Sequence, residues 1–356
     1  MPNTSKSKQK VLAVELTIGL DLGDRWAQLC ALDQEGEIVD EGGLKLTQEA
    51  LRTRFSGVPR ARIALETKTH SLWVSALLTE LGHEVIVANV RELAAISGSN
   101  RKSDQNVKLA RYARVDPSIL CPIQHRSTES QLELSVIRAR AALVRARTLL
   151  INTARGIAKP LGYGLPKCTS KAFATTCREQ LPEALKPVLL PVISQVEQLT
   201  DQINHYRKQV EAAAEAKGHE MSPLLSVPGV GNLTAVTFVL TVGDKERFNK
   251  SRDVACYLGL QPKRSQSGER DPGLGITKAG NGYLRTLLVE CAQHVLGPFG
   301  PDSALRQWGL KLAYRGGKGS KRKAIVAVAR KLAALLHRLW VTQRNYEPFY
   351  GVAEAA

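Results

Sequence analysis

No stretch of this 356-residue chain approaches the roughly 20 consecutive apolar residues that span a bilayer, so no membrane segment is expected. The N-terminus, Met1 to Lys10, is polar and basic, and the apolar run after it (Val11 to Leu22) is broken by Glu15 and Asp21. It lacks the uninterrupted apolar centre and small-residue cleavage site of a secretory signal. There is no C-x-x-C pair. Cys30, Cys121, Cys168, Cys177, Cys256 and Cys291 are scattered, which argues against a zinc site or a disulfide framework and fits reduced thiols in a cytoplasm. There is no G-x-x-x-x-G-K-[S/T] phosphate loop either, and the 28 glycines and 16 prolines follow no repeat, which excludes a collagen-like or low-complexity fibre.

Acidic residues are in short supply: 33 Asp and Glu against 50 Lys and Arg give a formal charge of +17. The excess is localised. Residues 91–160 hold 13 basic and 5 acidic side chains, and residues 244–323 hold 16 and 7. Charge gathered in this way points to a polyanionic partner, first of all nucleic acid. With 43% apolar residues the chain can build real cores, and at roughly 100–200 residues per domain it should have two or three units.

Thr17 to Gly23 reads as a buried strand with an acid, Asp21, near its end. Trp26 to Asp33 and Ile38 to Leu46 read as two further strands around the Gln34–Glu37 turn, and Gln48 to Phe55 as a short helix. Arg62 to Glu66 is another short apolar run closed by an acid. Leu72, Val74, Leu77, Leu78 and Leu81 have helical spacing, and Glu84 to Val90 is a strand. Residues 16–118 therefore predict an α/β domain of order βββαβαβα with a mixed sheet, after a basic tail at 1–15.

Residues 119–220 predict a helical region. Val136, Leu143, Leu150 and Ile157 recur every seven residues, and Val192, Val196, Leu199, Ile203, Tyr206 and Val210 form an alternating 4-3 seam. The two helices can pair as a coiled-coil arm, either as an internal hairpin or between copies. Residues 221–356 predict a mainly α-helical domain. Leu224 to Leu240, with Pro228-Gly229-Val230-Gly231 at its centre, reads as a helix-hairpin-helix, in which glycines let backbone N–H groups approach a phosphate. A polar, glycine-rich loop covers 261–275. Helices are expected at 282–296 and 323–343, the last burying Ile325, Val328, Leu332, Leu335 and Leu339.

Asp21 and Glu66 each close a strand, where side chains project into the crevice usual for open α/β sheets. Two carboxylates there make a hard-oxygen site for magnesium, Mg²⁺, and Asp104, entering a helix after Arg101-Lys102-Ser103, can supply a third. Asp24, three residues past Asp21, falls in the turn and is read as a decoy rather than a ligand.

Ile18-Gly19-Leu20-Asp21-Leu22-Gly23 resembles the opening strand of RuvC-like nucleases of the RNase H fold, and Leu65-Glu66-Thr67 resembles their second acidic station. Asn100 to Asp104, followed by Leu109-Ala110-Arg111, is similar to the third. Leu258 to Pro262, Ser267-Gly268 and Ile276 to Arg285 resemble the C-terminal domain of the IS-one-ten insertion-sequence transposases, also called bridge-RNA-guided recombinases. The resemblance runs over roughly residues 16–340 in the same order.

It implies a metal-binding RuvC-like domain with a four-acid set, a coiled-coil arm, and a transposase domain with a nucleophilic serine. Donor and target DNA would be recognised through a structured guide RNA, the bridge RNA, by a dimer or tetramer in the bacterial cytoplasm at the nucleoid. The implied nucleophile is Ser267, with Ser265 two residues away. Arg264, Arg270, Lys278 and Arg285 surround this loop and are expected to bind phosphate oxygens. One departure stands out. The family's fourth acid lies three residues after the third, and Val107 occupies that position, as though an Asp-Ala pair were missing before Leu109. The alternatives are a metal-dependent junction nuclease and a catalytically impaired nucleic-acid-binding remnant.

Overall fold

The protein is described from a computed structural model, for residues 15–89, 105–266, 274–317 and 319–350. It divides into two compact units, with the boundary between His125 and Arg126.

The first unit is built on a mixed five-stranded sheet: β1 (Thr17–Leu22), β2 (Trp26–Leu32), β3 (Ile38–Lys45), β4 (Arg62–Glu66) and β5 (Glu84–Ala88). The spatial order is β3-β2-β1-β4-β5. β1 to β3 form an antiparallel meander, while β4 and β5 run parallel to β1. Helix α1 (Gln48–Phe55) starts at Thr47, whose hydroxyl accepts from the Ala50 N–H, and leads into β4; α2 (Ser71–Glu80) links β4 to β5. The alternation of strand side chains sorts the two faces. Ile18, Leu20, Leu22, Ile63 and Leu65 point into the core shared with Leu51, Phe55, Val74 and Leu78 of α1 and α2. The opposite face, with Ala64, Ile86 and Ala88, is covered by Leu109 and Ala113 of α3 (Gln105–Val115). This is the mixed α/β sheet expected from the sequence, and its strands lie where the apolar runs predicted them.

The second unit is helical. Helix α4 (Thr128–Ala158) is capped by Ser127, whose hydroxyl accepts from the Ser130 N–H, and packs along α6 (Lys186–Ala216). Between them α5 (Phe173–Glu179) closes the far end of the pair, where Ile151, Phe173, Cys177, Leu189 and Ile193 form a separate core. The remaining helices are α7 (Gly218–Leu225), α8 (Asn232–Val242), α9 (Ser251–Tyr257), α10 (Gly282–Leu296), α11 (Ala304–Ala313) and α12 (Ser320–Thr342). They make one large cluster, into which Leu134 and Ile137 of α4 and Val210 and Ala214 of α6 are rooted.

The buried seam of α6 is Leu189, Ile193, Val196, Thr200, Ile203, Val210 and Ala214. Its spacing is that of a heptad seam, but the register differs in part from the one the sequence suggests: Val192, Leu199 and Tyr206 are only half-buried. On α4 the buried set is Leu134, Ile137, Ala141, Ile151, Ala154 and Ala158, while Val136, Leu143, Leu150 and Ile157 lie at its margin. The seam is filled within one chain, by α4 against α6.

α7, a glycine turn and α8 follow one another where a helix-hairpin-helix is expected. Gly229 turns the chain at φ +86°, and a β-carbon there would lie 2.9 Å from His294 Nδ1. α8 is buried along its length from Thr234 to Val242 and is the central helix of this unit.

Candidate active site

The carboxylates of the first unit are brought together by strand register. Leu20 pairs with Leu65 across the parallel β1–β4 ladder, so the next residues, Asp21, one before the end of β1, and Glu66, the last of β4, lie side by side on adjacent strands. Both fall on the face covered by α3, because Leu20, Leu22 and Leu65 point the other way into the core. α3 is seated against β1 by Gly19, where a β-carbon would lie 1.9 Å from the Asn106 carbonyl oxygen and 2.7 Å from the Ala110 nitrogen. That close approach brings the first residue of α3, Gln105, to Glu66, whose Oε1 accepts a hydrogen bond from Gln105 Nε2.

Glu66 is buried (5% exposed), whereas Asp21 is partly open. Both bind one ammonium. Lys68 Nζ donates to Asp21 Oδ1 and lies 3.2 Å from Glu66 Oε2. Burial alone would lower the Lys68 pKa; the hydrogen bond and charge of Asp21, joined by Glu66, outweigh it and hold the pKa above its usual value. Two oxygen-donor carboxylates that converge on a single cation fit the donor set a divalent ion such as Mg²⁺ prefers. Among the described residues no group of three or more His, Cys, Asp or Glu forms a metal cluster. Asp104 lies outside the described residues, immediately before Gln105 in the sequence.

Val107, at the family's fourth acidic station, packs against Cys30, Leu32 and Ala110. That environment is apolar, and Val107 is half-buried in it. Asp24 stands away from the pair, its exposed carboxylate 3.7 Å from His70 Nε2. Lys68 and Gln105 are the site residues that sequence reasoning did not single out. The signal available for Lys68 was its position two residues beyond the strand-ending acid.

In the second unit the loop that carries Ser267 is described at its base. Pro262 and Ile276 form an antiparallel bridge. Lys263 N donates to Gly275 O at 2.9 Å, and Thr277 N to Gln261 O at 2.9 Å. Arg264 and Ser265 are exposed beyond this bridge; Ser267 and Arg270 lie outside the described residues. Lys278 is exposed, at φ +57°.

The stretch after the loop is an interlock. A β-carbon on Gly259 would sit 2.2 Å from Ala279 N, and one on Gly280 would sit 2.2 Å from Tyr257 O; both glycines have φ +69°. Asn281 caps α10, accepting from Tyr283 N (3.0 Å) and Leu284 N (3.1 Å), and its amide donates to the Thr241 hydroxyl. Arg285 Nη1 donates to the carbonyls of Leu258, at 2.9 Å, and Ala279.

Residues 18–159 match the DEDD transposase model of the IS110 group, and residues 221–306 match the Transposase IS116/IS110/IS902 family. The chain belongs to this transposase family. It is 26% identical over 340 residues to the transposase of insertion sequence element IS1111A from Coxiella burnetii, covering 92% of this chain and 90% of that transposase. A probable family 20 transposase of Pseudomonas aeruginosa is 28% identical over 93% of this chain and 98% of its own length. The transposase of IS1328 from Yersinia enterocolitica is 26% identical over 78% of this chain and 82% of its own. The first model spans both strand-ending acids, and the second spans the serine loop and the interlock. Among the described residues no helix is long and apolar enough to cross a membrane.

Proposed function

We propose that this transposase cleaves and rejoins DNA through a phosphoserine intermediate, with the acids of the first unit supporting the chemistry and a structured guide RNA choosing the sites. The observation that carries the first part of this reading is the convergence of Asp21 and Glu66 on one cation at adjacent strand ends. Asp21 and Glu66, with Asp104 as a third ligand, would hold Mg²⁺. When bound, the ion neutralises charge on a scissile phosphate.

The chain's own groups do the rest. Gln105 fixes the Glu66 carboxylate by its hydrogen bond. The Ser267 hydroxyl attacks phosphorus: a Ser O–P bond forms, the bond from phosphorus to the 3′-oxygen breaks, and the hydroxyl proton passes to that oxygen as a free 3′-hydroxyl. After strand exchange a 3′-hydroxyl attacks the phosphoserine, re-forming the phosphodiester and returning the proton to Ser267. Each step exchanges one phosphate ester for another, so no nucleotide is consumed. Arg264, Arg270 and Lys278 would contact phosphate oxygens near the serine.

The RNA and DNA would lie along exposed basic surface of the second unit. α12 carries Lys321, Arg322, Lys323, Arg330, Lys331 and Arg338, all exposed, and not one acidic residue. Among the described residues none of the six is in an ion pair; Lys331 lies over the Trp308 ring and Arg338 over the Tyr350 ring, which leaves Lys321, Arg322, Lys323 and Arg330 as the cations most open to phosphates. The α7–turn–α8 element would serve as a helix-hairpin-helix, and the α4–α6 pair as a coiled-coil arm. The assembly would be a dimer or tetramer, because recombination holds two duplexes at once. The test is excision of a marked element from a plasmid in bacteria that supply its flanking RNA. Glu66→Gln and Ser267→Ala should each abolish excision, and a scrambled RNA should do the same with wild-type protein. Excision by either variant would overturn the corresponding assignment.

A further inference from the structure

The turn that follows Glu66 is fixed, and it aims a lysine back at the acids. Thr67 donates twice to the Ala88 carbonyl of β5, from N at 3.1 Å and from Oγ1 at 2.7 Å. On the other side, buried Ser71 donates to the Lys68 carbonyl from N at 3.2 Å and from Oγ at 2.8 Å. With the backbone held on both flanks, the Lys68 side chain joins both carboxylates of the site. Among the described residues, no other cationic group pairs with Asp21 or Glu66. Two carboxylates on neighbouring strand ends repel each other, and the one on Glu66 is buried; an ammonium between them removes both difficulties. It also halves the net negative charge offered to an incoming ion.

We propose that Lys68 is a built-in counter-ion of the Asp21–Glu66 pair: it keeps the two carboxylates assembled when no metal is bound, and it competes with a divalent cation for them. The inference rests on the reading of these acids as the metal site. Its consequence is that loading requires displacing an internal cation, so the site is weaker for metal than its carboxylates alone would make it. Lys68 acts here through the two acids, as a positioning residue.

The experiment is a titration of full-length protein with Mn²⁺, free of nucleic acid, in which electron paramagnetic resonance counts the unbound ion. Lys68→Gln should bind Mn²⁺ about tenfold more tightly than wild type, because a positive charge in contact with the ligands is gone. Lys68→Arg, which keeps the charge, should stay within about threefold of wild type. Lys68→Met serves as a second neutral variant, should the glutamine variant not fold by its circular dichroism spectrum. Unchanged or weaker Mn²⁺ affinity in a folded neutral variant overturns the inference. Asp21→Asn and Glu66→Gln separate it from the reading beneath it. If these two bind Mn²⁺ as wild type does, the metal site itself is wrong. If they lose Mn²⁺ while the neutral Lys68 variants behave as wild type, only the counter-ion role falls.

Discussion

Gly19 and Asn106 are in closer contact than any side chain would permit: a β-carbon on Gly19 would stand 1.9 Å from the Asn106 carbonyl oxygen. Because the obstacle is helix backbone, it cannot turn aside. Gly19→Ala must therefore lift α3 from β1 and draw Gln105 away from Glu66. The expected cost is about 3 kcal/mol or more, of the order seen for overpacked cores. Urea unfolding monitored by tryptophan fluorescence reads it, and a variant as stable as wild type would show that α3 is seated differently.

Arg285 and Arg264 are both basic residues beside the serine loop, yet their surroundings differ. Arg285 Nη1 donates to the Leu258 and Ala279 carbonyls, while Arg264 is exposed. Arg285→Ala should lower thermal stability, since the carbonyls of buried Leu258 and half-buried Ala279 lose a donor. Arg264→Ala should leave stability unchanged and reduce the slope of log affinity for DNA against log salt by about 0.9. Differential scanning fluorimetry and salt-series binding, run on both variants, check the two expectations together.

Ile193 is fully buried in the core that joins α4, α5 and α6. Ile193→Ala should destabilise this end of the helical pair by about 2–4 kcal/mol. Hydrogen exchange should show the loss in α5 and the adjoining ends of α4 and α6, with the sheet of the first unit unaffected.

Burial, with Cys168 adding to it, pushes the Cys177 thiol up from 9.0 to about 11. The fold disfavours its thiolate. The stability this contributes is therefore complete below pH 9, and is lost as pH rises towards and through about 11. At pH 8 exposed Cys121 should alkylate readily, and Cys177 should remain unmodified until the protein unfolds. Mass spectrometry after timed iodoacetamide treatment distinguishes the two.

The sheet and its two acids were legible in the sequence for a simple reason: short apolar runs that end in Asp21 and Glu66 can only be read as strands with carboxylates at their ends. The partners of those acids were not legible. Lys68 sits in a turn and Gln105 opens a helix, and neither position has a periodicity that marks contact. The helical seam was found in a partly shifted register because Val192 and Ile193 are both apolar, as are Leu149, Leu150 and Ile151. An apolar template fits such runs in more than one way, and it overlooks seam residues such as Thr200 and Ala214. The same limit applies to α12, where small Ala329 and Ala333 are fully buried and Ile325 and Leu335 only partly so. Arg285 reads as a phosphate ligand from its neighbours in sequence, but its carbonyl partners are set by how Gly259 and Gly280 interlock.

In the proposed reaction Ser267 becomes bonded to DNA while Asp21 and Glu66 support the cut. The most direct measurement uses end-labelled element-end DNA with guide RNA and Mg²⁺, resolved on a denaturing gel, with the adduct mapped by mass spectrometry. A protein–DNA adduct should form at Ser267, be absent in Ser267→Ala, be unaffected by Ser265→Ala, and be lost in Asp21→Asn. Cleavage without any adduct, or an adduct that persists in Ser267→Ala, would contradict the proposed reaction.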